Sequence, residues 1–197
     1  MFYKGRTYVQ GEADDSEAPQ LSKREPMKQR IALISTGGTI EKTYDELEGV
    51  LENQVSVLDV MLSGLDLGGV EIVRVPLMNK DSLDMVPADH ALVAQTAEAM
   101  AAAHDGVVIV HGTDRLETTG NAILERVPEP TVPIVITGAM RPYALRSTDA
   151  VQNLTESLLA VQLLEPGVYC VFHNKVLRFP GVTKDRRRGT FVPGTGT

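Results

Sequence analysis

Five stretches of this chain are rich in apolar residues, and turns or polar segments separate them. Runs that are apolar at successive positions predict strands whose two faces are both covered, as in a parallel sheet. The predicted strands lie near 30–35, at 70–75, near 106–110, at 133–137 and near 167–172.

The segments between these strands have helical patterns. Apolar residues recur at helical spacing after Ser56, a candidate N-cap, and Pro87 opens an alanine-rich helix. Two more helices are predicted at 116–127 and 147–164, and Asp149 suits the positive end of the second helix dipole. This alternation predicts an α/β fold: a doubly wound, flavodoxin-like parallel sheet with helices on both faces.

The length of 197 residues and the hydrophobic fraction of 43% favour one globular domain. Residues 1–26 are polar and acidic without a period, which predicts a flexible N-terminal leader before a domain spanning 27–197.

The overall charge changes the list of plausible partners. A net charge of −7 disfavours nucleic acid, and we interpret the basic run Arg186-Arg-Arg188 as a solvated turn or an oligomer contact. No stretch reaches the roughly eighteen apolar residues of a membrane span, and the first residues lack a signal-peptide core. With one cysteine, Cys170, an intrachain disulfide framework is excluded, so a cytoplasmic protein with no membrane partner is expected.

Two of the predicted strands end in glycine and threonine. The first runs into Thr36-Gly-Gly-Thr-Ile40, and the third runs into His111-Gly-Thr-Asp114. Glycines there allow a sharp turn and a close approach of a ligand to the main chain. In a flavodoxin-like order the first and third strands are neighbours, which would place Thr39 across a cleft from Thr113 and Asp114. Either motif alone is more often a tight turn, and Asp114 could simply cap the next helix.

Other chemistries find no support in the sequence. Neither dinucleotide-binding nor phosphate-binding glycine patterns occur, and a G-x-S-x-G nucleophile motif is absent. The histidines lack the spacing of paired metal ligands, and His111 is interpreted as a satisfied strand-end residue. They are His90, His104, His111 and His173. We therefore expect threonine chemistry with no metal and no cofactor.

Four motifs in order resemble the bacterial-type L-asparaginases. They are Thr36-Gly-Gly-Thr-Ile40, His111-Gly-Thr-Asp114, Gly138-Ala-Met-Arg-Pro142 and Val182-Thr-Lys184. The resemblance runs from about Ile31 to about Phe191 and covers the N-terminal, catalytic domain of that family. The chain therefore resembles the short, single-domain members.

The resemblance implies a reaction and a set of catalytic residues. The expected reaction is hydrolysis of L-asparagine to L-aspartate and ammonia, with Thr39 as the nucleophile that forms an acyl-enzyme. Thr113, Asp114 and Lys184 match the family's second cluster, in which the lysine can serve as a base. Asp114 is also expected to bind the α-ammonium group of the substrate. Tyr44, five residues after Thr39, is the candidate for the tyrosine of the family's flexible loop.

The resemblance also implies a set of substrate contacts. Backbone N–H groups around Thr39 and Thr113 are candidates for an oxyanion hole, and the carbonyl of Ala139 would receive the leaving amide. Asn79-Lys80-Asp81 stands where the family usually has a small residue before Gln-Asp. The substrate-binding candidates are Gly38, Asn79, Lys80, Asp81, Gly112 and Ala139. Because the match covers only the N-terminal domain, we expect a more open site with weak substrate affinity.

Several alternative functions stay open. Glutaminase or mixed activity is close, because one methylene in a pocket is worth only about 1–3 kcal/mol of discrimination. An amino-acid-binding protein that has lost catalysis is a second alternative, and a nucleotide-binding α/β domain is a weaker third. The resemblance to an assembling family and the helix at 88–103 favour a homo-oligomer, a dimer or a tetramer, with a small-molecule amino acid as substrate.

Overall fold

The structure, a computed structural model, describes residues 28–41, 43–45, 50–52 and 57–194, with the backbone alone for 43–45 and 50–52. The predicted leader at 1–26 and the candidate cap Ser56 lie outside these residues. The strands are β1 Gln29–Ser35, β2 Thr43–Asp45, β3 Val50–Glu52, β4 Val70–Pro76, β5 Gly106–Val110, β6 Pro133–Thr137, β7 Gly167–Phe172, β8 Lys175–Arg178, β9 Val182–Asp185 and β10 Thr190–Pro193. The helices are α1 Leu58–Ser63, α2 Pro87–Ala101, α3 Leu116–Arg126 and α4 Ala150–Leu163.

The central sheet has the strand order β4-β1-β5-β6-β7-β8. The first five strands are parallel, and they are the five predicted strands in the predicted flavodoxin-like order. The sixth strand, β8, pairs antiparallel with β7 through a tight turn at His173 and Asn174, whose φ angles are 51° and 58°. Two residues with positive φ are typical of hairpin turns that follow the twist of the strands.

The apolar runs cover both faces of the sheet. On one face, Ile34, Val107 and Ile109 pack with residues of α2 and α3. On the other face, Leu33 and Val108 pack with residues of α1 and α4. Successive strand residues point to opposite faces, so each position of a buried strand must be apolar, as the sequence predicted.

Two predicted helix starts change in the structure. The first helix is a six-residue segment, α1, whose N-terminal flanking residue is Val57 and lacks a capping side chain. The last helix begins at Ala150 rather than near 147, with Asp149 at its N-cap position. Asp149 forms no cap hydrogen bond to α4. Within the described residues, none of the helices is long and apolar enough to cross a bilayer.

Strands β1 and β5 are hydrogen-bonded neighbours, with Ser35 beside Val110 at their carboxyl ends. Both the main-chain N–H and the hydroxyl of Thr36 donate to the carbonyl of Val110, at 3.1 and 3.0 Å. The loops that follow the two strands therefore leave the sheet side by side. This is the arrangement that the sequence predicted for the two threonine-containing motifs.

Candidate active site

The loops after β1 and β5 touch through glycines. Gly37 and Gly38 have φ angles of +90° and +86°, a conformation that side-chain-bearing residues rarely adopt. A Cβ atom added to Gly38 would lie 2.5 Å from the Cα of Gly112. The backbone of Gly112 can therefore approach this closely only because position 38 is glycine.

Thr39 follows these glycines and begins a short 3₁₀ turn, Thr39–Glu41. The turn is held by Glu41, which is 5% exposed and accepts a hydrogen bond from the N–H of Gly37 at 3.1 Å. Thr39 itself is partly exposed. The predicted nucleophile thus lies at the carboxyl edge of the sheet, on a loop fixed at both ends, and solvent or a ligand can reach it.

A lysine joins the second predicted cluster from a distant part of the chain. The ammonium of Lys184, on β9, donates to the hydroxyl of Thr113 at 2.8 Å and to the Oδ1 of Asp114 at 2.9 Å. The exposed fraction is 4% for Thr113, 13% for the side chain of Lys184 and 24% for that of Asp114. The three predicted residues form one contiguous, largely desolvated cluster.

The possible role of Asp114 as a helix cap is not observed. The residue before α3 is Arg115, which makes no cap hydrogen bond with its side chain. The carboxylate of Asp114 instead faces Lys184 and also lies 3.2 Å from a guanidinium nitrogen of Arg186. Arg186 belongs to the basic run that we interpreted as a solvated turn, and its side chain is 71% exposed.

Ser82 is a site residue that the sequence analysis did not identify. It is 1% exposed, and its hydroxyl accepts a hydrogen bond from the N–H of Asp114 at 3.2 Å. A Cβ atom on Gly112 would lie 2.5 Å from the Cβ and the hydroxyl of Ser82. Ser82 therefore packs beneath the loop that carries Gly112 and Asp114, and it orients that loop.

The predicted substrate-binding residues 79–81 lie beside the loop of Thr39. The N–H of Lys80 donates to the carbonyl of Thr36 at 2.9 Å, and the Oδ1 of Asn79 would lie 2.9 Å from a Cβ on Gly37. The ammonium of Lys80, however, donates to both carboxylate oxygens of Asp89, at 2.8 and 2.9 Å.

Asp89 thus largely compensates the positive charge of Lys80, which we predicted to be a substrate-binding residue. The hydrogen bond from Lys80 and that from the N–H of Val86 hold the pKa of Asp89 below its ordinary value. Asp81 accepts a hydrogen bond from the N–H of Leu83 at 3.0 Å and thereby caps the next turn.

A buried polar network supports the loop of Ala139, which is fully buried. Asp149 accepts hydrogen bonds from the N–H groups of Met140 and Arg141 at 3.0 and 2.9 Å. Asn153 donates to the carbonyl of Gly138 at 2.9 Å and to Asp149 at 3.0 Å. The sequence predicts a helix-dipole role for Asp149, whereas in the structure its carboxylate accepts from this loop.

A histidine completes the network around Asp149. The Nε2 of His173 lies 2.8 Å from the Oδ2 of Asp149, and the N–H of His173 donates to Asn153 at 3.1 Å. Burial opposes ionisation of Asp149, but the hydrogen bonds from Met140, His173 and Arg141 outweigh it and lower the pKa of this carboxyl group. The ionised form is therefore the one that the site stabilises.

Tyr44 lies in β2, which pairs with β3, but its side chain is outside the described residues. His111 is fully buried, and its Nδ1 lies 2.7 Å from the carbonyl oxygen of Gly112, in agreement with the prediction of a satisfied strand-end residue. In the described part of the chain, no three His, Cys, Asp or Glu residues are grouped as metal ligands would be.

Comparison with known proteins finds one family for this arrangement. The family described as "Asparaginase, N-terminal" matches residues 30–190. The L-asparaginase of Thermococcus kodakarensis is 30% identical over 157 residues, which cover 79% of this chain and 47% of that protein. A glutamyl-tRNA(Gln) amidotransferase component from Haloquadratum walsbyi is 35% identical over 145 residues, which cover 73% of this chain and 33% of that protein.

Solved structures agree with the family match. The thermostable L-asparaginase from Thermococcus kodakarensis superposes with a TM-score of 0.75 at 28% identity, over 84% of this chain and 51% of that chain. A probable cytoplasmic L-asparaginase from Campylobacter jejuni has a TM-score of 0.68 at 28% identity, over 84% and 53%. The chain thus spans about half the length of these L-asparaginases. Since the family match extends over most of its residues, the chain belongs to the asparaginase family, through that family's N-terminal domain.

Proposed function

We propose that this protein is an amidohydrolase that converts L-asparagine to L-aspartate and ammonia, with Thr39 as the nucleophile. The observation that carries the proposal is the cluster of Thr113, Asp114 and Lys184, which faces the loop of Thr39 across two touching glycines. Family membership makes amide hydrolysis the reaction class that best fits this cluster.

The proposed reaction has two halves. In the first, the Thr39 hydroxyl attacks the side-chain carbonyl of asparagine, its proton is passed to the amide nitrogen, and ammonia leaves as the C–N bond breaks. In the second, water attacks the resulting ester, and the bond to Thr39 breaks to release aspartate. Lys184 is hydrogen-bonded to Thr113, so we assign it as the group that exchanges the proton with the reacting atoms through that hydroxyl.

The backbone of the two loops offers donors for the developing oxyanion. Thr113 is 4% exposed, and within the described residues no group accepts a hydrogen bond from its main-chain N–H. Buried N–H groups are nearly always paired in folded proteins, so such a donor is well suited to a ligand. A fixed donor stabilises the oxyanion more than it stabilises the substrate, which raises kcat.

The substrate contacts proposed from the family fit the same edge of the sheet. Asp114 would bind the α-ammonium group, and Asn79 would donate to the α-carboxylate from the loop beside Thr39. The buried loop of Ala139 would present its carbonyl to the leaving amide. Arg186 also contacts Asp114, so binding of an α-ammonium group there competes with, or displaces, an exposed side chain.

A second candidate function comes from the amidotransferase relatives. The protein from Haloquadratum walsbyi, named as part of a glutamyl-tRNA(Gln) amidotransferase, is more identical to this chain than is the Thermococcus L-asparaginase, although over a smaller share of its own length. In this alternative the same threonine chemistry would release ammonia for use at another protein's site. Such a component would need its partner for full turnover, whereas an independent asparaginase would not.

We also propose a homo-oligomer, a dimer or a tetramer, in the cytoplasm. An exposed apolar surface supports self-association: Leu159, Leu163 and Val176 on α4 and β8 are 58%, 73% and 49% exposed. They border a shared cleft of about 290 Å³, and β8 is the antiparallel edge of the sheet. Analytical ultracentrifugation of the wild type and of Leu163→Glu tests this proposal, and a monomer at micromolar concentration would contradict it.

The reaction is tested by ammonia release from L-asparagine and L-glutamine with purified protein, up to high millimolar substrate. Thr39→Ala should abolish turnover, whereas Thr39→Ser keeps a hydroxyl and should retain part of it. Thr155→Ala, an exposed helical threonine on α4, is the matched control and should leave turnover unchanged. Turnover that survives in Thr39→Ala would contradict the proposed nucleophile. Folded wild-type protein that releases no ammonia from either amide would contradict the proposed reaction.

A further inference from the structure

A chain of buried polar groups leads from helix α2 to the loop of the second threonine. The Nδ1 of His90 lies 2.7 Å from the hydroxyl of Thr119, and that hydroxyl lies 2.8 Å from the Nε2 of His111. The Nδ1 of His111 lies 2.7 Å from the carbonyl oxygen of Gly112. The chain thus ends on the peptide group that joins Gly112 to Thr113.

The chemistry of these groups fixes the direction of every hydrogen bond. A carbonyl oxygen can only accept, so the Nδ1 of His111 must carry a hydrogen and donate it to Gly112. In a neutral ring the Nε2 of His111 then has a lone pair, which accepts from the Thr119 hydroxyl. The Thr119 hydroxyl donates its single hydrogen to His111, so its oxygen accepts a hydrogen bond from the Nδ1–H of His90.

Burial keeps both imidazoles neutral, as this direction requires. Thr119 and His111 are fully buried, and His90 is 6% exposed. Loss of hydration lowers the pKa of His111 to about 4, and it lowers the pKa of His90 as well. The free Nε2 of His90 costs little, because this residue borders an open cleft of about 680 Å³ between α2 and α3.

The hydrogen bond to Gly112 acts on the N–H of Thr113, because the two atoms belong to one peptide unit. Donation to the carbonyl oxygen holds the plane of that unit and draws electron density away from its nitrogen. The N–H then becomes a stronger donor, an effect that hydrogen bonds in a chain reinforce. This is the same N–H that no described residue accepts from.

We propose that His111, with Thr119 and His90 behind it, is a positioning residue that orients and polarises the Gly112–Thr113 peptide for stabilisation of the oxyanion. None of the three touches the substrate in this scheme. The inference rests on the proposed function, since it assigns a purpose to one donor of that site. It requires the effect to fall on kcat, because the donor acts chiefly on the transition state.

The kinetic test compares Thr119→Val with Thr119→Ser. Valine matches the shape of threonine without a hydroxyl, so the Nε2 of His111 loses the group that donates to it, and the ring loses its fixed orientation. We expect kcat to fall roughly tenfold with KM nearly unchanged. Serine restores the hydroxyl and should return kcat to within about twofold of the wild type. Thr155→Val repeats the same chemical change on α4 and should leave both constants unaltered.

A second readout does not depend on catalysis. The NMR shift of the Thr113 amide proton reports the hydrogen bond on the Gly112 carbonyl. It should move upfield in Thr119→Val and in His111→Gln, and stay in place in Thr119→Ser. If the shift behaves this way in a protein that releases no ammonia, the proposed function fails while the hydrogen-bond chain stands. Active protein in which Thr119→Val matches Thr119→Ser in kcat, or in which the Thr113 shift does not move, overturns the inference.

Discussion

The ammonium of Lys184 donates a hydrogen bond to the hydroxyl of Thr113 at 2.8 Å, although 71 positions separate the two residues in the chain. The contact depends on the β9–β10 hairpin, a separate two-stranded sheet. Val182 and Phe191 fix this hairpin to the core, at 3% and 0% exposure. The proposed base is therefore held by the packing of the C-terminal hairpin, and not by the central sheet that carries the two threonines.

Replacement of this lysine gives the first prediction. Lys184→Met keeps the apolar stem and removes the ammonium, so the proton transfers proposed for Thr113 lose their acceptor. We expect kcat for ammonia release to fall by about 10²–10⁴ while the protein stays folded. The control is Arg187→Met in the turn of the same hairpin, where the side chain is exposed, and it should be neutral. Equal activity of the two variants would exclude Lys184 from the chemistry.

Two glycines with positive φ provide the second prediction. Gly38→Ala must accept both a strained φ of +86° and a Cβ within 2.5 Å of Gly112, so the two loops have to separate. Gly189→Ala has a φ of +58° and nothing within 4 Å, so it bears only the backbone strain, about 1–2 kcal/mol. We expect Gly38→Ala to lose activity and more thermal stability than Gly189→Ala. Similar melting temperatures and activities in the two variants would show that the loops do not need this close approach.

The lowered pKa of His111 gives a third prediction, on stability against pH. Its pKa is about 4 in the folded protein against 6.5 for the free side chain, so the unfolded chain binds a proton first as the pH falls. Above pH 6.5 the titration of His111 does not change the free energy of unfolding. As the pH falls from 6.5 towards 4, the free energy of unfolding decreases by up to about 1.4 kcal/mol per pH unit.

His111→Gln removes this titration, and the comparison isolates it from the other ionisable groups. Denaturant unfolding at pH values from 7 to 4 should therefore give a flatter decline of unfolding free energy in His111→Gln than in the wild type. Parallel curves for the two proteins would contradict a buried, neutral His111.

The fourth prediction compares two aspartates that each accept from two consecutive backbone N–H groups. Asp149, whose side chain is 1% exposed, holds the loop of Ala139, and Asp185, 24% exposed, holds the N–H groups of Arg187 and Arg188. Replacing a buried acceptor is more costly than replacing one that water can reach, so Asp149→Asn should lose about 2–3 kcal/mol and Asp185→Asn under about 1.

The dependence of the unfolding free energy on pH provides a separate test of the role of Asp149. Its pKa is lowered in the folded state, so its contribution is complete above the ordinary value of 3.8 and is lost as the pH falls through the lowered folded value. The gap in unfolding free energy between the wild type and Asp149→Asn should therefore narrow below pH 4. A gap that stays constant to the lowest pH at which the protein folds would contradict the role of the carboxylate.

The sequence predicted the parallel sheet because β5, β6 and β7, and β1 from Ile31 onward, are buried on both faces and are therefore largely apolar at successive positions. The shorter strands gave no such signal. In β8, partly exposed and fully exposed positions alternate over four residues, and in β9 Val182 is the only buried residue. Lys184 could therefore be placed in the site through the resemblance to the asparaginases, whereas periodicity gave no information about it.

The hydrophobic periodicity of the sequence also did not predict the buried polar residues that support the site. Asn153 lies among the buried positions of α4, next to Leu154 and on the same covered face as Leu158 and Val161. A polar residue at such a position is a usable signal, because a buried amide needs partners. The sequence signal at Ser82 is weaker, because a serine after Asp81 is equally typical of an exposed turn.

Mass spectrometry of the protein, quenched during turnover of L-asparagine, would identify the nucleophile itself. The wild type should carry an aspartyl adduct during turnover, and peptide mapping should find it on Thr39. Thr39→Ala should show no adduct. An adduct on Thr113 instead, or turnover by Thr39→Ala, would contradict the account.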